Sequence, residues 1–341
     1  MLRTAALIYN PASGRQDERR RAQVEAAAAE LQRGGVRATI VASKGPRQAG
    51  EQARQMVADG CGAVFACGGD GTIHDVLQGL VFSQAALGII PMGTANALAH
   101  DLGLPRQPAR AARAALTASP QRIAVGRIAY HDRNAQPCTR YFVIAVGVGV
   151  DADLFYRLHA NMKQRMGMGA YYAEALRLWL THGLGRFEAE FTDTRTGDVR
   201  REAVSQALAV RITHFGGVLR RFAPGAALRR NDVQLVLFKT SSRLPYLMYI
   251  LRSLTGGRWR VPGVELAHST RLICRPLGDG NGSGSSSRVY VEADGEVLGR
   301  LPVELTIVPS ALTLLVPQSL ATEKVRDHVM ANAPRVGNAV S

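Results

Sequence analysis

Short apolar segments alternate with helical patterns from the start of the chain to about residue 116. The run 62–66 is typical of a buried strand, and apolar residues then recur at helical spacing at positions 73, 76, 77 and 80. Further strands are predicted at 5–9, 36–41 and 87–90, and further helices at 17–33, 46–59 and 109–116. This alternation predicts a doubly wound parallel sheet, so we expect an α/β domain over residues 1–122.

The pattern changes after residue 122, where strand-like segments follow one another at hairpin-like spacing. The predicted strands cover 122–128, 141–146, 200–211, 234–238, 271–274, 289–292 and 303–308, with helices around 171–181 and 244–254. We therefore expect a β-rich antiparallel domain over residues 123–310. The Gly- and Ser-rich segment 278–287 is predicted to be a surface loop, and residues 331–341 a disordered tail.

Three glycine-containing turns follow three of the predicted parallel strands: Asn10–Gly14, Gly68–Thr72 and Pro91–Asn96. Such turns emerge at one edge of an open α/β sheet, where ligands bind. Glycines let the backbone approach a phosphate, and a helix N-terminus supplies unpaired N–H donors. The turns would form a polar, phosphate-sized cradle from Asn10, Ser13, Asp70, Thr72, Thr94 and Asn96. For any single turn, a purely structural need for glycine is the alternative.

Two acidic motifs are candidates for chemistry. Asp70 would lie beside a phosphate, which favours a divalent cation between the two and hence a Mg²⁺–nucleotide complex. The segment Asp294-Gly295-Glu296 sets two carboxylates around a glycine. Asp-Gly is a common hairpin turn with no function of its own, but a chain that binds a nucleotide also needs a base for the acceptor, and Asp294 suits that role.

Charge limits the partners without choosing among them. The chain has 42 basic and 27 acidic residues, a net charge of +15, which attracts nucleotides, nucleic acids or anionic membranes. Aromatic residues make up only 6% of the chain and do not alternate with the basic clusters, so we expect no nucleic-acid partner. The four cysteines lack metal-ligand spacing and the N-terminus lacks a signal-peptide layout, which favours a cytoplasmic protein.

The predicted helix at 244–251 is apolar nearly all round and is flanked by Arg243 and Arg252. Packing on the second-domain sheet would explain its composition. Contact with a membrane, or a lipid entrance, would also explain apolar residues beside basic flanks. Both interpretations stay open at this point.

Taken together, five motifs resemble the diacylglycerol kinase catalytic-domain family in its bacterial lipid-kinase branch. In chain order they are Asn10–Gly14, Gly68–Thr72, Pro91–Ala99, Gly147–Ala152 and Asp294–Glu296. The resemblance spans most of the chain and implies an α/β domain of the NAD kinase and diacylglycerol kinase type, to which residues 311–330 return. It also implies a β-rich lipid-binding domain, ATP and Mg²⁺ as cofactors, and phosphate transfer to a lipid hydroxyl.

The resemblance also implies roles for individual residues. Asp294 would be the general base that takes the proton from the lipid hydroxyl, and Glu296 its charge-network partner. Asp70 would act through Mg²⁺. The implied nucleotide contacts are Asn10, Ser13, Gly14, Gly69, Asp70, Gly71, Thr72, Gly93, Thr94 and Asn96.

Several positions depart from the family pattern. Ala97 and Ala124 stand where many members carry aspartate, and Arg229–Asp232 replaces an acidic turn that is often linked to a structural metal. The charge network of the cleft is therefore altered, and Arg15, His100 or Asp101 are candidates to substitute within it. The form Asn96–Ala99 is similar to the sphingosine-kinase variant, so a sphingoid base or ceramide stands close behind diacylglycerol as the expected acceptor.

Two rival functions remain at this stage. One is a kinase similar to NAD kinase with a soluble acceptor, and the other is a non-catalytic lipid-binding or regulatory relative. Asp294-Gly295-Glu296 fits lipid kinases better than the first rival, and intact Asp70 and Asp294 argue against the second. We expect a cytoplasmic enzyme, peripherally associated with the inner face of an anionic membrane that holds its lipid substrate. The oligomeric state is open, a homodimer included.

Overall fold

The computed structural model describes residues 2–11, 17–45, 47–132, 134–150, 152, 177, 184–214, 222–277 and 289–318. The predicted helix at 171–181, apart from Arg177, lies outside these residues, as do the segment 278–287 and the tail 331–341. Within the described residues, no helix combines the length and apolar character needed to cross a bilayer.

Four parallel strands form the N-terminal part of the sheet in the order β2-β1-β3-β4. They are β1 (Thr4–Tyr9), β2 (Arg37–Ala42), β3 (Ala63–Gly68) and β4 (Ala86–Pro91). Alternate residues of β1 enter two separate cores, because successive side chains of a strand point to opposite faces. Helices therefore cover both faces, as the sequence predicts.

The helices divide between these two faces. Helices α1 (Asp17–Arg33) and α5 (Pro108–Ala115) pack on one core. Helices α2 (Ala49–Ala58), α3 (Asp70–Leu80) and α4 (Ala97–Asp101) pack on the other. Both α3 and α4 follow directly after strands of the sheet, so their N-termini lie at its carboxyl edge.

The C-terminal part is β-rich, and its strands pair antiparallel with one another. Among the described residues of this part, one helix, α6 (Leu244–Thr255), packs on these strands. The strands are β5 (Ser119–His131), β6 (Pro137–Phe142), β7 (Ala145–Gly149), β8 (Phe187–Thr192), β9 (Val199–Val204), β10 (Gln206–Val210), β11 (Val233–Phe238), β12 (Val264–Ser269), β13 (Arg271–Pro276), β14 (Tyr290–Ala293) and β15 (Glu296–Val316). The predicted fold class, an α/β domain followed by an antiparallel β-rich one, is confirmed.

Two long strands join the halves of the molecule. β15 has 21 residues and pairs with β5 along most of its length. Near its end, Thr313 and Leu314 pair parallel with Ala86 and Leu87 of β4, so the chain returns to the N-terminal sheet. The predicted boundary at residue 122 therefore falls inside a strand, and paired strands connect the two parts instead of a linker. Residues 319–330 lie outside the described residues.

Two strands predicted as continuous are interrupted. The segment 200–211 divides at Ser205 into β9, which pairs with β8, and β10, which pairs with β7 and β11. The Ser205 amide donates to the Phe238 carbonyl at 2.8 Å where the chain changes partners. The segment 141–146 also divides, because residues 143 and 144 lie between the end of β6, which pairs with β5, and the start of β7, which pairs with β10 and β14. Their amide groups have another acceptor, which belongs to the site.

Candidate active site

The turns after β3 and β4 are in direct main-chain contact at the carboxyl edge of the sheet. The Met92 amide donates to the Gly68 carbonyl at 2.9 Å. A Cβ atom added to Gly93 would lie 2.4 Å from the Cα atom of Gly69, closer than real Cβ atoms approach a backbone. Gly93 therefore requires glycine, and Gly69 leaves little room for a side chain, since a Cβ atom added there would lie 3.2 Å from the Gly93 Cα atom.

Asn96 shapes the second of these turns. Its Oδ1 accepts from the Gly93 amide at 2.9 Å, and its Nδ2 donates to the Gly93 carbonyl at 2.7 Å. The residue adopts a left-handed conformation with φ of 49°, which asparagine tolerates better than most residues. The Asn96 side chain thus closes the turn through its two hydrogen bonds with the Gly93 main chain.

The Asp70 carboxylate binds the N-terminus of α4. Its Oδ2 accepts from the Ala97 amide at 3.0 Å and its Oδ1 from the Leu98 amide at 3.3 Å. Burial raises the pKa of this carboxyl group, while the two hydrogen bonds act in the opposite direction. Because the first amides of a helix lack partners within it, Asp70 supplies what the α4 N-terminus needs and joins the two turns.

A second carboxylate holds the other end of α4. Asp101 Oδ1 accepts from the amides of Thr213 and His214, both at 2.9 Å. Burial raises the pKa of Asp101, and these hydrogen bonds oppose the rise. Asp101 therefore ties α4 to the segment after β10 and is not among the residues that line the cavity described next.

A cavity of about 560 Å³ opens beside the two turns. Six of the predicted nucleotide contacts line it: Asn10, Gly69, Gly71, Thr72, Gly93 and Thr94. Asp70 and Asn96 are not among its lining residues and instead organise the turns behind it. Ser13 and Gly14 lie outside the described residues. The structure thus brings residues from all three predicted turns to one place.

Charged side chains that the sequence did not single out also line the cavity: Arg20, Arg47, Asp75 and Arg140. Arg140 Nη1 lies 4.0 Å from Asp75 Oδ1. Burial raises the pKa of Asp75, although the Ala49 amide and the Arg140 charge lower it. The arginines come from α1, the loop before α2 and β6, so no local motif links them. Asp75 follows Asp70 by five residues on the same helix, a spacing that could have drawn attention to it.

The Asp294 carboxylate is completely enclosed, with a side-chain exposure of 0%. Its Oδ1 accepts from the amides of Ile144 and Ala145 at 2.9 and 3.0 Å. Its Oδ2 accepts from the Val143 amide at 3.1 Å and lies 3.3 Å from Nδ1 of His74. Val143 and Ile144 lie in the break between β6 and β7, and Ala145 is the first residue of β7. The irregular backbone thus forms the binding pocket for one carboxylate.

His74 and Glu296, and not Asp294, are among the residues that line the cavity. The His74 side chain is only 4% exposed and connects Asp294 to the cavity wall. Glu296 lies over the first turn of α3, since a Cβ atom added to Gly71 would be 3.1 Å from its Oε1. The role of Asp294 as a base stays a prediction, and direct contact with an acceptor would require its carboxylate to leave three main-chain donors.

Two family profiles match nearly all of the described chain. "Diacylglycerol kinase catalytic domain" matches residues 4–128, and "YegS C-terminal NAD kinase beta sandwich-like domain" matches residues 144–316. The chain belongs to the diacylglycerol kinase catalytic-domain family, in its bacterial lipid-kinase branch. It is therefore a kinase, a phosphotransferase of the diacylglycerol kinase-like lipid kinases.

Relatives match this kinase along almost its whole length. A diacylglycerol kinase of Bacillus subtilis is 24% identical over 326 residues, which are 94% of this chain and 99% of the relative. A diacylglycerol kinase of Staphylococcus aureus is 22% identical over 337 residues, with coverage of 97% and 99%. The crystal structure of a diacylglycerol kinase from Bacillus anthracis superposes with a TM-score of 0.65 at 17% identity, covering 93% of this chain and 98% of the other.

A buried arginine contacts the main chain of Ala124, one of the positions where this kinase departs from the family pattern. Arg211 is fully buried, and its Nη2 donates to the Ala124 carbonyl at 2.8 Å and to the Leu228 carbonyl at 3.0 Å. Burial lowers the pKa of Arg211 to about 10, so the side chain is still a cation at neutral pH. Its Nε has no hydrogen-bond partner among the described residues. The main chain at Ala124 of β5 is thus held by a cation that directly follows β10.

In the segment Arg229–Asp232, which replaces an acidic turn of the family, Arg230 and Asp232 form an ion pair. Arg230 donates from Nε and Nη2 to the two carboxylate oxygens of Asp232, at 2.6 and 2.5 Å. This contact holds the pKa of Asp232 below its usual range, although partial burial acts to raise it. The turn that is acidic in many family members therefore carries its own counter-charge in this kinase.

The residues at the cavity fit a magnesium ion that arrives with a nucleotide. Within the part of the chain that the structure describes, no three acidic, histidine or cysteine residues cluster as a metal site. Mg²⁺ bound to a nucleotide needs only one or two carboxylates besides phosphates and water. Asp75 and Glu296 both line the cavity and lie close enough that the Glu296 charge raises the pKa of Asp75. Asp70, predicted as the metal ligand, directs both oxygens at α4, so its metal role stays a prediction.

Proposed function

We propose that this kinase transfers the γ-phosphoryl group of ATP to a hydroxyl group of a membrane lipid. Diacylglycerol is the first expected acceptor, and a sphingoid base or ceramide the next. One observation carries the proposal: a single cavity is lined both by the glycine turns and by His74, which is paired with a buried carboxylate. The first feature suits phosphates and the second suits the removal of a proton from an alcohol.

In this proposal the phosphates of ATP lie against the turns at Gly69–Thr72 and Gly93–Thr94. Arg20, Arg47 and Arg140 line the same cavity and would neutralise phosphate charge. Asp75 and Glu296 would hold the Mg²⁺ that accompanies ATP, and the ion would supply further neutralisation of phosphate charge. Catalysis is then mainly positioning and electrostatic stabilisation, as is general for phosphoryl transfer.

We further propose that the acceptor's proton passes to His74. With Nδ1 protonated and donating to Asp294, the imidazole keeps Nε2 as its proton acceptor. As the hydroxyl oxygen bonds to the γ-phosphorus, its proton moves to Nε2 and the bond to the β-phosphate oxygen breaks, so ADP leaves. Asp294 is then a positioning residue that fixes the ring and stabilises the imidazolium, as the aspartate of a serine protease triad does.

The acceptor class is supported by the names of the relatives and by charge. Relatives of nearly the same length are called diacylglycerol kinases. The net charge of +15 favours an anionic membrane surface, so we propose a cytoplasmic enzyme that associates peripherally with the inner face of the membrane. We propose no nucleic-acid partner, because the basic residues are not interleaved with stacking aromatic residues.

Phosphate transfer from labelled ATP into a panel of lipids in mixed micelles tests the acceptor. The panel holds diacylglycerol, monoacylglycerol, ceramide, sphingosine, phosphatidylglycerol and undecaprenol, with NAD as a soluble control. We expect label in diacylglycerol or in a sphingoid lipid. Label in NAD alone would contradict the lipid acceptor but keep the kinase, and ATP binding without any transfer would favour a non-catalytic relative.

Substitution of His74 separates the two routes for the proton. In His74→Asn the amide nitrogen can still donate to Asp294, but the side chain accepts no proton. We expect kcat to fall by roughly 10²- to 10⁴-fold while the KM for ATP stays near the wild-type value. Added imidazole should restore part of the turnover of His74→Ala. If His74→Asn keeps most of its kcat, the proton goes elsewhere, with Asp294 as the first alternative.

A further inference from the structure

The outward face of α6 is apolar. Among the described residues, nine large hydrophobic side chains are exposed, and six of them belong to α6 or to the segment just after it. These six are Leu244, Leu247, Ile250, Leu251, Leu254 and Trp259, with exposed fractions between 41% and 62%. We call them the α6 surface. Their spacing places the five helical members on one side of the helix, so they form a patch and not scattered exceptions.

The buried face of α6 carries polar groups instead. Tyr246 stacks on Phe238 with 4.1 Å between ring centroids, and its hydroxyl lies 2.9 Å from Ser205 Oγ. The Tyr249 hydroxyl donates to the Phe222 carbonyl at 2.5 Å. The inward face thus places two hydrogen-bonded tyrosine hydroxyls within the hydrophobic core, and the outward face is apolar as well, whereas a surface helix of a water-soluble protein turns polar residues outward. The outward leucines of α6 are unfavourable in water and favourable against an apolar phase.

The charge around this face is positive. Four arginines, at positions 243, 252, 258 and 260, lie between residues 240 and 264, and this stretch has no Asp or Glu. Arg258 and Arg260 are exposed on either side of Trp259. Glu202 of β9 and Glu265, the first acidic residue after this stretch, form ion pairs with Lys239 at 2.7 and 2.5 Å. The surroundings therefore combine apolar side chains with a net positive charge.

The α6 surface is also connected to the site through the protein core. Tyr246 and Tyr249 belong to the same hydrophobic core as Ile73 of α3 and Leu98 of α4. The helix that exposes the patch thus packs on the core that supports the phosphate-binding turns. If α6 lay against a membrane, this shared core would fix the position of the cavity relative to the membrane.

We propose that the α6 surface docks on the headgroup region of an anionic lipid bilayer. This inference rests on the proposed function, because it supplies the contact through which a lipid kinase would reach a membrane substrate. Leucines inserted below the headgroups, an interfacial tryptophan and flanking arginines are the features of helices that lie in a membrane interface. A second copy of the chain fits less well, since a symmetric contact would oppose four arginines to four arginines.

Sedimentation with vesicles that contain no acceptor lipid tests this docking. We expect binding to phosphatidylcholine vesicles that include phosphatidylserine, an anionic lipid outside the acceptor panel, and much weaker binding to phosphatidylcholine alone. The double variant Leu247→Ser/Leu251→Ser should bind at least roughly tenfold more weakly, since each leucine loses its transfer free energy. Arg258→Gln/Arg260→Gln should lose about fivefold for each arginine at low salt, and less at high salt.

Val199→Ser is the matched control, because Val199 is 66% exposed but lies on β9, away from α6. It should bind vesicles as the wild type does. Equal binding by wild type and Leu247→Ser/Leu251→Ser would overturn the proposal. So would a wild-type dimer, measured by light scattering, that the double variant converts to a monomer, because a second copy would then cover the patch.

Phosphate transfer in mixed micelles, compared with binding to vesicles, tests the proposed function separately from the membrane docking. Phosphate transfer in mixed micelles with no binding to anionic vesicles would refute the docking and leave the lipid kinase. Vesicle binding through α6 without transfer to any lipid of the panel would refute the proposed acceptor and leave the docking. Leu247→Ser/Leu251→Ser should keep its micellar activity and lose activity on vesicles.

Discussion

The phosphate-binding turns and the α6 surface differ in how the chain encodes them. The turns depend on close backbone contact, so Gly69, Gly93 and Asn96 occupy positions that tolerate few other residues. The α6 surface depends on which side of a helix stays exposed, and many apolar residues would serve. Local geometry therefore leaves a motif in the sequence, whereas an exposed face becomes visible only when the inward side of the helix is known.

The largest expected effect comes from adding one methyl group between the two turns. In Gly93→Ala the new Cβ atom would lie 2.4 Å from the Gly69 backbone, so the turns must separate. We expect the affinity for ATP to fall by roughly tenfold to a hundredfold, in line with the cost of overpacking. Isothermal titration with ATP and Mg²⁺ measures it.

Gly62→Ala is the control for that substitution. A Cβ atom added at Gly62 meets no atom closer than 3.7 Å, and the residue lies at the other end of β3. It should bind ATP as the wild type does, and both variants should bind vesicles normally, since neither touches α6. Normal ATP affinity in Gly93→Ala would show that the contact between the turns is not needed for binding.

An intermediate effect is expected at Asp70. Asp70→Asn turns an amide group toward the N-terminus of α4 and removes a carboxylate that accepts two main-chain hydrogen bonds. We expect the free energy of unfolding to fall by about 1–2 kcal/mol, as for the loss of a helix cap. Chemical denaturation measures this change, and ATP titration should show weaker binding because α4 and its turn are loosened.

Asp101→Asn provides the comparison for Asp70→Asn. It removes the charge at the opposite end of α4, so stability should fall by a similar amount while ATP affinity changes less. If Asp70→Asn instead keeps its stability and loses the dependence of ATP binding on Mg²⁺, Asp70 acts at the metal, as the family resemblance implies.

The sequence predicted the parts of this kinase that follow from local chemistry. The alternation of strands and helices, the three turns and the order of the motifs were sufficient for the fold class and for one wall of the cavity. Arg20, Arg47 and Arg140 were missed because they meet only in three dimensions. The enclosure of Asp294 was missed as well, since it depends on amides released where a predicted strand, 141–146, is interrupted.

The smallest expected effect separates the two faces of α6. Tyr249→Phe removes the hydrogen bond to the Phe222 carbonyl and should lower the free energy of unfolding by about 1 kcal/mol at neutral pH. Leu251→Ser, two residues on, should change it by less than about 0.5 kcal/mol, because the side chain is 55% exposed. Vesicle binding should respond in the opposite way, weakened by Leu251→Ser and unchanged by Tyr249→Phe.

High pH sharpens the same comparison. Burial raises the pKa of Tyr249 from 10.0 to about 12, so in this range the unfolded chain loses the proton that the folded chain retains. Ionisation then favours unfolding, and the contribution of Tyr249 to stability should decrease as the pH rises from 10 toward 12. The advantage of wild type over Tyr249→Phe should therefore shrink across this interval, whereas the difference between wild type and Leu251→Ser should not change. A constant advantage over Tyr249→Phe would mean that the hydroxyl is not buried, and that α6 does not hold its polar face inward.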